Sequence, residues 1–133
     1  LFTWLVSEYS NKYYLKNFNQ PLTNWDTRNV TDMSFMFLEA ASFNQPVNFD
    51  TRNVKDMTGM FADAEEFNQP FGPNFVANEG TNMRGMLYGA NSFDQSVERF
   101  VITNRENAMH IFGHPEPEDI GPRQVSGPIP VLR

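Results

Sequence analysis

Residues 18–37, FNQPLTNWDTRNVTDMSFMF, contain two blocks that both recur along the chain. Copies of the first block, Phe-Asn-Gln-Pro, start at Phe18, Phe43, Phe67 and Phe93, with Asp and Ser substitutions in the last copy. The second block, Asn-Val-x-Asp-Met, begins at Asn29 and again at Asn53, with weaker matches at residues 82–83 and 108–109. Two landmarks that stay in step indicate a tandem repeat with a period of about 25 residues.

The apolar residues after the second block recur at steps of three and four, the spacing of one face of a helix. In the first two units they are Met33, Met36, Phe37, Ala40, Phe43 and Met57, Met60, Phe61, Ala64, Phe67. Asn29 and Asn53, each followed by an acidic residue three positions later, are predicted as helix N-caps. Proline then turns the chain into a short extended segment. Each unit is therefore predicted to contain a helix, a turn and a strand-like segment.

Such a short unit cannot bury its own apolar face, so successive units are expected to stack over one continuous core. The predicted fold class is α/β, a short solenoid of about four helix–turn–strand repeats, similar to leucine-rich repeats, with an extended Pro-rich C-terminal arm. Residues 1–17 are predicted as an N-terminal cap or an eroded repeat, residues 18–113 as the repeats and residues 114–133 as the arm.

Two repeated residue types have a structural and a functional interpretation. The Met residues are predicted as core filler, and the alternative is an adaptable binding groove. The polar column Asn19, Asn44, Asn68 and Asp94 is predicted to satisfy backbone groups at each turn, and the alternative is a row of ligand contacts. The structural interpretation is favoured in both cases.

Charge and composition exclude several classes of function. The net charge is −6 and the ten Lys and Arg residues are spread singly, so no basic stripe indicates nucleic-acid binding. No apolar run reaches the roughly 20 residues that span a bilayer, so no membrane insertion by this segment is expected. There is no Cys, and His110 and His114 are separated by helix-breaking Gly113, so neither a metal nor a cofactor is expected. No catalytic set of residues appears, and an enzyme is not expected.

Candidate contacts with a partner come from two places in the sequence. Arg28 and Arg52 occupy one repeat position, next to Asp26 and Asp50, and form either an internal charge ladder or a two-point contact with an acidic partner. The arm is either a disordered tail or a docking segment, in which case the contacts are Pro128, Ile129, Pro130, Val131 and Leu132. Asn29-Val30-Thr31 is also a glycosylation sequon, although a glycan on Asn29 conflicts with a role as helix cap.

The two blocks of residues 18–37 together resemble the repeat of BspA-like surface proteins, a distant relative of leucine-rich repeats. The resemblance covers about residues 18–109 and weakens in the third unit, at Gly72, Pro73 and Gly80, and in the fourth unit, at Ser96 and Phe112. It implies an α/β solenoid carried on bacterial surface proteins, and also on algal, protist and large-virus proteins, with adhesion or partner binding as its role. It implies no catalytic residues.

The expected function is therefore that of a non-catalytic protein-interaction module of a surface-exposed protein, located outside the cell or on its surface. Its expected partners are other protein subunits or surface ligands. The alternative is a structural component of a large assembly such as a virus capsid, held in the virion by the ends of its repeat stack and by the arm.

Overall fold

The computed structural model describes residues 15–23 and 25–114 and the backbone of residues 131–132. In this part of the chain, strand β1 (Trp25–Asp26) is followed by helix α1 (Glu98–Thr103), helix α2 (Arg105–Ala108) and strand β2 (Val131–Leu132). The two strands pair antiparallel, with Trp25 opposite Leu132 and Asp26 opposite Val131. Leu15 and Lys16 also have helical backbone geometry. Most of the predicted N-terminal cap and of the predicted arm lies outside the described residues.

The predicted fold class, an α/β solenoid of helix–turn–strand repeats similar to leucine-rich repeats, is wrong. The residues predicted as repeat helices form consecutive turns, in which Met36 N donates to Met33 O over 3.3 Å and Leu38 N donates to Phe35 O over 3.2 Å. An α-helix would pair each amide with the carbonyl four residues earlier. Phe35 and Glu39 have φ angles of 56° and 59°, which a right-handed helix does not allow. Among the described units, only the fourth contains α-helices, and no strand recurs from unit to unit.

The amides between these turns point out of their own unit and donate to the next one. Met33, Phe35, Phe37 and Glu39 donate to the carbonyls of Asp56, Thr58, Met60 and Ala62 over 2.8–2.9 Å. Met57, Gly59, Phe61 and Asp63 donate in the same way to Asn82, Arg84, Met86 and Tyr88 over 2.7–3.0 Å. Isolated parallel bridges join Asp32 to Asp56 and Asp56 to Asn82. Successive units therefore lie against one another in a regular register.

A single apolar core runs through these units. The residues predicted to be buried are Met33, Met36, Phe37, Phe43, Met57, Met60, Phe61 and Phe67, and each has at most 3% of its surface exposed. That prediction is confirmed. Six of the seven Met residues are core filler, but the prediction is wrong for Met109, which is 75% exposed. The rings of Phe18, Phe43, Phe67 and Phe93 form a column with neighbouring centroids 5.8–5.9 Å apart. Stacked rings of this kind add to the stabilisation that burial itself provides.

Left-handed backbone at fixed repeat positions makes the turns possible. Phe35, Gly59 and Gly85 share one position, with φ angles of 56°, 59° and 64°. A Cβ built on Gly59 would lie 2.3 Å from Cε1 of Phe35. The second unit therefore requires glycine beneath the ring of the first.

The fourth unit closes the core in a different way. Gly85 N and Leu87 N still donate to the carbonyls of His110 and Ile111, over 2.9 and 2.8 Å. Helices α1 and α2 replace the extended part of the unit and bury Phe100 and Ala108. A helix of either length is far too short to cross a membrane, and no described helix has the length and hydropathy to do so.

Candidate functional site

The repeated Asn and Gln side chains form a ladder between units. Asn19 Oδ1 accepts hydrogen bonds from Asn44 N over 2.9 Å and from Gln45 Nε2 over 3.1 Å. Asn44 Oδ1 accepts the equivalent bonds from Asn68 and Gln69, both over 3.0 Å. Each oxygen thus satisfies the backbone of the next turn and fixes the amide side chain beside it. The structural interpretation of this column is confirmed.

A second Asn column lies along the edge that carries the two candidate Arg residues. Asn53 Nδ2 donates to Arg28 O over 2.6 Å, and Asn78 Nδ2 donates to Arg52 O over 2.7 Å. Asn104 continues the column by donating to Asn78 O over 2.6 Å. The predicted role of Asn29 and Asn53 as helix N-caps is wrong, because no helix begins there. The aspartates instead close turns, as in the bond from Ser34 N to Asp32 Oδ1 of 2.8 Å.

Sequence reasoning missed Asn78 and Asn104 as members of this column. The signal was present in their spacing, since residues 29, 53, 78 and 104 follow one another at the repeat period. The third unit hides it because the Asn-Val dipeptide is lost and Gly80 lies between Asn78 and the following Asn82.

Two threonines that were not predicted as structural residues also join the units. Thr27 Oγ1 donates to Asp50 O over 3.1 Å and accepts from Asp50 N over 2.9 Å. Thr51 Oγ1 makes the same pair of bonds with Val76, both over 2.7 Å. Each hydroxyl replaces a backbone hydrogen bond between neighbouring units, which explains why a polar side chain is buried at this position.

Arg28 and Arg52 each form an ion pair with the aspartate two residues earlier. Arg28 Nε lies 3.2 Å from Asp26 Oδ2, and Arg52 Nη2 lies 2.6 Å from Asp50 Oδ2. The side chains of the two arginines are 60% and 66% exposed. Both guanidinium groups are thus compensated within their own unit while remaining accessible to solvent.

The second of these pairs is the more closely coupled. Arg52 Nε also donates to Asp50 Oδ1 over 2.9 Å. The hydrogen bond from Arg52 lowers the pKa of Asp50, and the positive charges of Arg52 and Arg28 lower it further. The same pairing raises the pKa of Arg52. Arg28 therefore acts on the aspartate of the next unit as well as on its own, as an internal charge ladder requires.

Strand β2 brings part of the predicted docking segment to the same edge. Val131 pairs with Asp26, which is the ion-pair partner of Arg28, and Leu132 pairs with Trp25. The backbone of Val131 and Leu132 thus lies next to the Arg28 position. Pro128, Ile129 and Pro130 lie outside the described residues.

The sequon residue Asn29 is exposed on this edge. Its repeat equivalents Asn53 and Asn78 both donate to a backbone carbonyl of the preceding unit. Asn29 makes no such bond within the described ranges. The conflict between glycosylation and helix capping does not arise, because Asn29 caps no helix.

The two histidines are not brought together as ligands. The ring of His114 meets the edge of the Tyr88 ring at a centroid distance of 4.6 Å, and His110 O accepts from Gly85 N. Within residues 15–23 and 25–114, no three His, Asp or Glu side chains are placed to hold a metal ion. Besides Asp50, a second carboxyl has a shifted pKa: burial and the charges of Glu39 and Glu65 raise the pKa of Asp63.

Comparison with known families places this chain. A family model described as "Mycoplasma protein of unknown function, DUF285" matches residues 6–119. The chain belongs to this family. The match extends beyond the repeats recognised in the sequence, into the N-terminal residues before Phe18 and past His114. No curated protein and no solved structure matches the chain. Membership of the DUF285 family brings no assigned activity with it.

Proposed function

We propose that this DUF285 chain is a non-catalytic protein-interaction module of a surface-exposed, BspA-like repeat protein. Its role would be adhesion or partner binding outside the cell or at its surface. Family membership and the intact repeat blocks of residues 18–37 support the assignment to repeat surface proteins. The polar residues that recur in the core and the turns are used to join units, so partner contact falls to the residues that project from the edges.

One observation supports the edge that carries Arg28 and Arg52 as the surface that binds a partner. Arg28 and Arg52 project from successive units, and β2 pairs with β1 beside Arg28. Two exposed guanidinium groups in register present ten N–H donors between them, and the Asp partners occupy only some of these. A carboxylate-bearing partner could pair with both arginines at once, at bidentate geometry that lysine does not offer.

The arm contributes the apolar part of this surface. Proline restricts the backbone of residues 128–132, so the entropy lost when the segment lies along a partner is small. In this proposal, Arg28 and Arg52 supply charge and register, while Pro128, Ile129, Pro130, Val131 and Leu132 supply contact area. Asn29, on the same edge, is a candidate glycosylation site whose modification would cover it.

The experiment measures binding of the purified full chain to immobilised matrix glycoproteins and to cultured cells. We expect Arg28→Gln combined with Arg52→Gln to weaken binding about tenfold, the loss of roughly 1.4 kcal/mol of contact with an acidic partner. Lys16→Gln combined with Lys55→Gln removes two other exposed cations and serves as the matched control. Deletion of residues 115–133 tests the arm separately.

The outcomes distinguish a failure of the proposed function from a failure of the proposed contact residues. If the unmodified chain binds none of these surfaces, the proposed adhesion function is wrong. If it binds and the paired Arg variant behaves like its control, the function stands and the assignment of Arg28 and Arg52 is wrong.

A further inference from the structure

The fourth unit carries an apolar surface that the rest of the described chain lacks. The large apolar side chains that are exposed in residues 15–23 and 25–114 are Val101 at 42%, Ile102 at 76%, Met109 at 75% and Phe112 at 54%. Val101 and Ile102 lie on α1, and Met109 and Phe112 lie in the turns after α2. Every other large apolar side chain in these ranges is buried or half-buried.

This surface lies on the last unit among the described residues. The third unit donates to the fourth through the bonds that His110 O and Ile111 O accept. The amides of His110 and Ile111 turn back into their own unit, donating to Asn107 O and Ala108 O over 3.1 Å each. The backbone at this end is thus satisfied internally, and contact beyond it must come from side chains. Terminal units of repeat proteins ordinarily present a polar outer face, and this unit does not.

The charges around the apolar side chains indicate what covers them. Glu98, Arg99, Arg105 and Glu106 are exposed, two of each sign, and none of them forms an ion pair within the described ranges. Arg28 and Arg52, in contrast, are both paired within their own units. The chain as a whole has a net charge of −6, which opposes association of two copies through an average surface. Within residues 98–106 the charges balance, with two glutamates and two arginines.

A surface with equal numbers of both signs around an apolar centre can be its own complement. In a two-fold arrangement, each residue of one copy meets a different residue of the other, so Arg105 can face a glutamate of the second copy. Arg99 is already held in place, because its Nη1 donates to Gly72 O over 2.5 Å and to Phe75 O over 3.3 Å. Such an arrangement buries the apolar side chains and gives Arg105 an acidic partner at the same time.

We propose that this end of the fourth unit is a self-association surface, through which two copies of the chain form a two-fold dimer. The four apolar side chains supply roughly a few hundred Å² per copy, which is at the low end for protein interfaces. The dimer is therefore weak and depends on concentration. The proposal does not rest on the adhesion function proposed above.

The test is analytical ultracentrifugation of the full chain from about 1 μM to about 1 mM, the range in which a weak dimer dissociates. We expect the mass to rise from that of the 15.3 kDa monomer toward twice that value. Ile102→Glu and Phe112→Glu, each exposed in the monomer, should raise the dimer dissociation constant at least about tenfold. Thr23→Glu adds the same charge at an exposed position in the first unit and should leave dimerisation unchanged.

A second measurement addresses the charges. Arg105→Glu should weaken the dimer several-fold, because it removes a cation and adds a like charge at the interface. Thermal unfolding of the same samples verifies that each variant is folded. A chain that stays monomeric throughout the range overturns the proposal, as does a dimer that persists in both glutamate variants. Open-ended polymers would overturn the two-fold arrangement, and marked destabilisation of a monomeric Ile102→Glu would show that the chain's own residues cover this end.

Discussion

The second unit and the fourth unit cover the same core in different ways. In the second unit, turns between residues 57 and 67 donate their alternate amides to the third unit, and every apolar residue there is buried. In the fourth unit, α1 and α2 form hydrogen bonds within themselves and leave Ile102, Met109 and Phe112 exposed. A unit whose amides donate to the next unit must have that unit beside it. The helices of the fourth unit satisfy their own amides and need no unit beyond them.

The same difference separates residues that hold the units together from residues that a partner can contact. Polar side chains between units, such as Asn44 and Thr51, are fixed by bonds to neighbouring units. Among the described residues, the side chains of Arg28 at the edge and of Ile102 on the fourth unit are instead exposed, by 60% and 76%. Positions available for partners are therefore those where the repeat presents a side chain outward or breaks its own pattern.

The largest expected difference between regular and terminal units is in packing. Phe43→Ala empties a fully buried site between the rings of Phe18, Phe37 and Phe67 and should lower the free energy of unfolding by about 3–5 kcal/mol. Phe112→Ala, at a ring 54% exposed in the fourth unit, should change it by less than about 1 kcal/mol. Urea denaturation at a concentration where the chain is monomeric measures both. Equal effects would mean that the terminal unit is packed as tightly as the regular ones.

The next effect concerns the glycine beneath Phe35. Gly59→Ala introduces a Cβ that would lie 2.3 Å from the Phe35 ring at a φ angle of 59°. We expect it to destabilise the fold by about 2 kcal/mol, through the left-handed backbone and the displaced ring. Gly80→Ala, where a Cβ meets nothing within 4 Å, is the matched control and should be near neutral. Thermal unfolding of the two variants, compared side by side, tests whether the regular turns need this geometry.

The smallest effect is electrostatic and depends on pH. Burial, Glu39 and Glu65 raise the pKa of Asp63 above its ordinary value of 3.8. The folded state therefore holds this proton at higher pH than the unfolded state does, and stability is lost as pH rises through the folded-state pKa. Asp63→Asn should stabilise the fold at neutral pH by only about 0.3 kcal/mol, because solvent screens the charges.

Unfolding followed from acidic to neutral pH tests this prediction. The advantage of Asp63→Asn should disappear below the ordinary aspartate pKa of 3.8, where the wild-type carboxyl is protonated in both states. Asparagine tolerates the left-handed φ angle of 57° at this position, so backbone strain should not obscure the result. A gain in stability that is independent of pH would show that the charge of Asp63 is not its cause.

The repeat itself was readable from the sequence, and so was its core. The period of about 25 residues follows from self-similarity alone. The burial of Met33, Phe37 and Phe43 follows from their apolar spacing, whichever backbone carries them. The Asn19 ladder was also predictable, since a polar residue repeated at a turn has backbone groups to satisfy.

The local backbone was not readable in the same way. Apolar residues at steps of three and four predict a helix, but the alternating turns of residues 33–43 place the same residues on one face. Gly59, Gly85 and Gly89 were the contrary signal, because glycine is unfavourable inside a short helix and favourable at positive φ. Phe35 and Glu39 hid that signal in the first unit by adopting left-handed backbone without being glycine.

The period, most of the buried residues and the polar columns thus follow from the amino-acid pattern alone, because each depends on one residue type recurring at one position. The backbone conformation depends on contacts between units, because an amide of residues 33–39 can bond to a local carbonyl in a helix or to a carbonyl of the neighbouring unit. The amide bonds to the neighbouring unit where a carbonyl of that unit lies about 2.8 Å away, as Thr58 O does from Phe35 N. In the fourth unit, bonds within the unit form helices α1 and α2.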